Sequence, residues 1–157
     1  MKQQILAAAF IAVTSFSASS ALAADAANGE KIFKKCASCH MVGEGAKNKV
    51  GPILTNVVGS KIASVEGYKY GKSIAALGET GAVWTEDEIF EYLADPKKYL
   101  RAKLDDKKAK SKMSFKLKKE DERKDVIAYL ATLTSNKAEE GDAASEETST
   151  EESTTTN

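Results

Sequence analysis

Apolar positions along this chain recur at helical rather than strand spacing. Ala26, Gly29, Phe33 and Cys36 follow one another at intervals of three, four and three residues, which places them on one helix face and brings Cys36 to its end. Further on, Thr85-Glu86-Asp87-Glu88 has the form of a capping box. Ile89 and Leu93 stand one turn apart on the buried side of the helix it opens, and Asp95-Pro96 stops that helix. The same pair predicts a short segment through Tyr99 and Leu100, with Asp95 as its cap and Pro96 in the first helical position. A last helix follows Lys119. Its acidic first turn (Glu120, Asp121, Glu122) suits the helix dipole, and Val126, Tyr129, Leu130 and Leu133 form its buried stripe. No stretch alternates convincingly with period two, and the glycines gather in loops between Gly43 and Gly81. The pattern therefore predicts an all-α chain of short helices and long loops, with almost no sheet.

Composition changes this picture mainly at the two ends. Over 157 residues, 23 Lys+Arg balance 23 Asp+Glu, but the neutrality conceals two regions of opposite sign. Residues 137–157 carry seven acids and one lysine among Ser, Thr and Ala, a composition that predicts a disordered acidic tail. Residues 1–23 run from Lys2 through the apolar stretch Ile5 to Phe16 to the small-residue site Ala21-Leu22-Ala23, and read as a secretory signal peptide cleaved after Ala23. The remaining 24–136 is one domain with 21 basic and 16 acidic residues. Export implies a periplasmic, oxidising compartment, in which a vicinal cysteine pair must be protected, oxidised or covalently used. Two cysteines cannot build a disulfide scaffold, no apolar run is long enough for stable membrane insertion, and the charges form no nucleic-acid stripe.

Short helices with long loops bury too little apolar surface for such a domain, since loops beyond about 12–15 residues are uncommon without a functional reason. A large apolar cofactor between the helices would supply the missing core. Cys36-Ala37-Ser38-Cys39-His40 indicates which one, because it is the c-type haem attachment pattern. Two thiols at this spacing can each add across one haem vinyl group, and the adjacent imidazole is a proximal iron ligand. Zinc would need four protein ligands, but beyond these three the chain offers only carboxylates. A thioredoxin-like pair would need a βαβ surround that the flanking sequence lacks.

For the other iron face the candidates are few. There is no second histidine, Met1 leaves with the leader, and Met41 adjoins His40. Met113, in the loop before the last helix, is the expected sixth ligand, with a lysine as its competitor. A thioether ligand raises the reduction potential, and a filled sixth position disfavours oxygen chemistry.

Taken together, these residues resemble the class I c-type cytochromes, specifically the bacterial cytochrome c2 type. The resemblance runs from Asp25 to about Leu133 through the Gly29–Phe33 helix, Cys36 to His40, Val50-Gly51-Pro52, Ala63 to Tyr70, Trp84 to Leu100 and Lys110 to Leu117. It implies a fold of about four to five short helices wrapped around one covalently bound haem c. It further implies that the Pro52 carbonyl accepts from the His40 ring, that Tyr70, Trp84 and Ser111 donate to haem propionates, and that Tyr92 sits near the Met113 sulfur. Gly29, Phe33 and Tyr129 would pack the first helix against the last. One position departs from the family: after Val57-Val58-Gly59, where an Arg near the propionates is common, this chain has Ser60 and then Lys61. The segment Arg101 to Ala109 is also longer than in mitochondrial relatives.

From Lys97 to Lys119 there are eleven basic residues and two acids. Such a cluster suits electrostatic steering toward an acidic partner during brief encounters at an exposed haem edge, with rates that fall as salt rises. Lys34, Lys35, Lys49, Lys97, Lys98, Lys110, Lys112 and Lys116 are the candidate docking residues. The expected function is one-electron carriage by a monomer, not an enzyme. By the resemblance, the partners are a cytochrome bc-type complex and a terminal oxidase or photosynthetic reaction centre. A haem enzyme or gas sensor would need an open sixth site, and a haem-free metal module would be colourless.

Overall fold

The computed structural model describes residues 24–134; both terminal segments distinguished in the sequence lie outside them. Five helices follow in order: α1 (Ala26–Phe33), α2 (Lys72–Glu79), α3 (Glu86–Ala94), α4 (Pro96–Lys103) and α5 (Glu120–Thr132). Among the described residues the sole β feature is an isolated antiparallel bridge between Lys61 and Val83.

Side-chain caps account for three of the five helix starts. Asp25 caps α1 by accepting from the Asn28 amide, Thr85 caps α3 by accepting from Glu88, and Asp95 caps α4 by accepting from Lys98 with Pro96 in the first turn. The capping box is only half realised. The Glu88 carboxylate does not return to the Thr85 amide but accepts from Tyr99 Oη and pairs with Lys103 Nζ at 2.5 Å, binding α3 to α4. Helix α1 also ends earlier than its periodicity implies. Cys36 lies in the turns beyond Phe33, where its amide and that of Ala37 both donate to the Phe33 carbonyl. The face that α1 buries is Gly29, Ile32 and Phe33, with Ala26 and Cys36 only half-buried.

Helix α2 is the element that periodicity missed. Its cap, Gly71, offers no side chain, and Gly78 weakens its helical propensity. Tertiary packing holds it instead, through buried Leu77 and the close approach of Gly78 to Ile62, whose carbonyl oxygen a Cβ would meet at 2.3 Å.

Helix α1 crosses α5 at its glycine. A Cβ on Gly29 would lie 2.0 Å from the Asp125 carbonyl oxygen and 2.8 Å from Tyr129 Cβ. The Asp125 carboxylate fastens the crossing by accepting from the Asp25 amide at 2.8 Å and from Asn28 Nδ2 at 2.7 Å. The Phe33 and Tyr129 rings pack with centroids 5.6 Å apart. On α5, Val126 and Leu130 are buried as expected and Tyr129 and Leu133 half-buried, while Ile127 and Arg123 are also buried.

The apolar residues form two clusters rather than one. Ile32, Phe33, Ile89, Leu93, Leu117, Val126, Ile127 and Leu130 make the first; Ile62, Leu77, Tyr99, Leu100 and Ala109 make the second, and Trp84 packs against both. Between them the chain leaves room for a large group.

Candidate functional site

That room is a cavity of about 510 Å³, inside the ~300–1,000 Å³ range of ligand and cofactor pockets. Phe33, Leu93, Val126 and Leu130 reach it from the first cluster, and Ile74 and Trp84 come from the side of the second. Every residue named from the sequence as a site candidate lines it: Cys36, Cys39, His40, Pro52, Tyr70, Trp84, Tyr92, Ser111 and Met113.

The end of α1 and the turns after it present the attachment motif. Cys36 and Cys39 are free, half-buried thiols. Burial pushes the Cys36 thiol above its ordinary value, partly offset by Lys35. The bond from Gly51 N to the Cys39 carbonyl and that from Lys49 Nζ to the Ala37 carbonyl hold 36–40 against 49–51, while His40 N to the Cys36 carbonyl and Lys49 N to the Gly51 carbonyl close a turn within each segment.

His40 Nδ1 lies 2.7 Å from the Pro52 carbonyl oxygen. A carbonyl can only accept, so the ring proton must sit on Nδ1, and the Nε2 lone pair is left for a metal. Desolvation lowers the His40 pKa, against the pull of the Pro52 bond, which favours the neutral, ligating imidazole. Gly51 lies against the ring face: a Cβ there would come within 2.2 Å of His40 Cε1 and 2.6 Å of both ring nitrogens.

The remaining candidates form two groups on the cavity wall. Tyr70 Oη accepts from the Val65 amide, which leaves its own proton for donation into the cavity. Ser111 Oγ accepts from the Met113 amide at 3.1 Å and lies 3.4 Å from Tyr92 Oη, so Ser111, Tyr92 and Met113 form one connected corner. Burial raises the pKa values of both Tyr70 and Tyr92 and keeps the phenols protonated. The Trp84 ring stacks near Tyr99 (6.0 Å) and meets Tyr92 edge-on (5.0 Å). Ser60 and Lys61, at the position where Arg is common, both line the cavity, and Ser60 Oγ donates to the Val57 carbonyl. Tyr68, not anticipated from the sequence, also lines it and donates to the Val50 carbonyl at 2.7 Å.

Two thiols, a ring with one free nitrogen, a thioether and an apolar slot are the donor set and shape that a c-type haem requires. A Cytochrome c family model matches residues 26–134. The chain belongs to the cytochrome c family. Cytochromes c hold haem c covalently and carry electrons without being enzymes, and this is the class I fold. The chain is 46% identical over 134 residues to a cytochrome c2 of Rhodospirillum rubrum, covering 85% of this chain and 99% of that one. It is 45% identical over 130 residues to cytochrome c-550 of Paracoccus denitrificans, covering 78% and 83%. Its structure is similar to cytochrome c2 from Rhodospirillum centenum, with a TM-score of 0.68 and 44% identity over 71% of this chain and 99% of that one.

This cytochrome's basic surface is less free than its sequence suggests. Lys35 pairs with Glu122 at 2.8 Å and Lys116 with Asp95 at 2.6 Å; Lys49 Nζ donates to the Ala37 carbonyl and Lys112 Nζ to the Lys69 carbonyl. Lys103 is paired with Glu88. The excess counted from Lys97 to Lys119 thus meets acids from α3 and its end, brought close only by folding. All eight docking candidates, Lys34, Lys35, Lys49, Lys97, Lys98, Lys110, Lys112 and Lys116, are nonetheless exposed. The cavity also has exposed apolar lining, with Val50 76% and Phe115 37% exposed, and Lys35, Lys61 and Lys112 line it too.

Proposed function

We propose that the protein is a diffusible periplasmic one-electron carrier whose haem is attached through Cys36 and Cys39 and ligated by His40 and Met113. The observation that carries this reading is the arrangement around His40. Its Nδ1 is committed to Pro52 and its face is confined by Gly51, in a cavity that Met113 also lines. When bound, the haem supplies an iron centre that alternates between ferrous and ferric states. The protein's own residues keep that exchange free of bond-making chemistry. Pro52 holds the imidazole orientation, Met113 would supply the second ligand, and Tyr70, Trp84 and Ser111 would donate to the propionates.

Val50 and Phe115, exposed residues of the cavity lining, would be where a partner meets the cofactor edge. A small apolar contact on a cavity that Lys35, Lys61 and Lys112 also line suits a brief encounter with an acidic partner better than a lasting complex. The partners we infer are a cytochrome bc-type complex on one side and a terminal oxidase or photosynthetic reaction centre on the other. Residues 1–23 direct export, and none of the described helices is long and apolar enough to cross a membrane.

The test is visible absorption of the exported, purified protein in both oxidation states, with acid-solvent extraction and carbon monoxide. Pigment that stays on the chain, six-coordinate low-spin spectra, a methionine-to-iron band and no carbon monoxide adduct are expected. Extractable or high-spin haem, or ready carbon monoxide binding, overturns the reading in favour of a ligand-binding or catalytic haem site.

A further inference from the structure

Arg123 is the one buried charged side chain among the described residues, 6% exposed. It sits in the fourth position of α5, near the positive end of the helix dipole, where a cation is disfavoured. No carboxylate lies within ion-pair distance of it among the described residues. Its Nη1 donates instead to two successive backbone carbonyls, Leu117 at 2.9 Å and Lys118 at 2.7 Å. The guanidinium stands 4.2 Å from the centroid of the Phe90 ring, and Nε is buried without a hydrogen-bond partner. A buried, partly unsatisfied cation is a poor way to stabilise a core. Its contacts say what it does instead.

Both carbonyls belong to the segment that carries Met113. Between Lys110 and Lys119 the chain has no helix or strand and is held at isolated points. Lys110 N donates to Ser73 Oγ, Met113 N to Ser111 Oγ, Leu117 N to the Leu93 carbonyl, and Lys116 pairs with Asp95 at the surface. Beyond the helix start itself, where the Lys119 carbonyl accepts from Arg123 N and Lys119 pairs with Glu122, the Arg123 side chain ties this segment to α5, four and five residues after Met113. We propose that Arg123 is a positioning residue: a buried clamp that keeps the Met113 segment closed over the cavity and so sets how often the thioether leaves the iron. This rests on the reading of Met113 as a ligand.

The test compares the haem-loaded wild type with Arg123→Met, which keeps bulk and Phe90 contact without donors, and Arg123→Lys, which keeps the charge and one donor. Three quantities are measured on the ferric protein: the rate at which external imidazole replaces the thioether, followed by loss of the methionine-to-iron band, and the amide exchange of Leu117 and of Leu130. In Arg123→Met, imidazole entry and Leu117 exchange should rise on the order of 10- to 100-fold, the factor carried by one charge-assisted hydrogen bond. Leu130 exchange should stay near wild type, and Arg123→Lys should recover part of the loss. Unchanged imidazole entry, or an equal rise at Leu117 and Leu130, overturns the clamp, since the second result means only a less stable fold. If Arg123→Met fails to load haem, Arg123→Lys carries the same comparison. A Met113→Ala variant with the wild-type spectrum shows instead that the ligand reading has failed; the exchange of Leu117 against Leu130 then still decides whether Arg123 holds the segment.

Discussion

Gly51→Ala places one methyl group against the ring of His40. The new Cβ would lie 2.2 Å from Cε1 and 2.6 Å from each ring nitrogen, where carbon contacts prefer about 3.5–4.0 Å, so an ångström or more must be gained by movement. Backbone retreat is resisted, because the Gly51 amide donates to the Cys39 carbonyl at 2.9 Å and its carbonyl accepts from Lys49 at 2.9 Å. Displacement of the ring breaks the 2.7 Å bond from Nδ1 to Pro52. The backbone at 51 is not left-handed, so the penalty is one of space alone. Overpacking costs about 1–3 kcal/mol and the lost hydrogen bond about 1 kcal/mol, for a sum of about 2–4 kcal/mol. That corresponds to a thermal midpoint lowered by on the order of 10–20 °C. The assay is thermal unfolding of the haem-loaded protein followed in the Soret region, with the reduction potential measured alongside. Lost orientation at the ligand should also move the potential. A Gly51→Ala protein with wild-type midpoint, spectrum and potential would refute the steric argument and the role given to His40 together.

Two further outcomes test the packing and the electrostatics. Gly29→Ala gains up to about 1 kcal/mol of helix propensity, yet drives a Cβ to 2.0 Å from the Asp125 carbonyl oxygen; a net loss of about 2 kcal/mol is expected from guanidinium unfolding, and a more stable variant would contradict the close α1–α5 crossing. Burial draws the Glu88 pKa up, but the bonds from Lys103 and Tyr99 draw it down further, below its ordinary 4.5. Its stabilising contribution is therefore present above about pH 4.5 and lost as pH falls through the lower folded value. Tyr99 is raised, by burial first and Glu88 second, so its share is full below pH 10.0 and lost at higher pH. Glu88→Gln should cost about 1 kcal/mol at neutral pH and flatten the acid limb of stability against pH; an unchanged acid limb would remove Glu88 from the account.

The attachment motif, the Thr85 and Asp95 caps and the acidic start of α5 were legible in the sequence, because each acts over a few neighbouring residues. Elimination also narrowed the second-ligand candidates to Met113, with a lysine as competitor, and Met113 lines the cavity. Other features depend on residues that the chain brings together from far apart. Helix α2 lacks a side-chain cap and stands on the contact of Gly78 with Ile62. Glu88 turns from its own helix start toward Tyr99 and Lys103, and Lys35 and Lys116, though exposed, find Glu122 and Asp95. The clearance at Gly51 and the burial of Arg123 have no local signature, since a glycine and an arginine in a sequence carry no sign of what faces them. Short-range hydrogen bonding thus determined where α1, α3 and α4 begin, and thiol spacing which cofactor the chain holds. Close packing of distant side chains decided where α2 forms, how the imidazole is confined and which charges are paired.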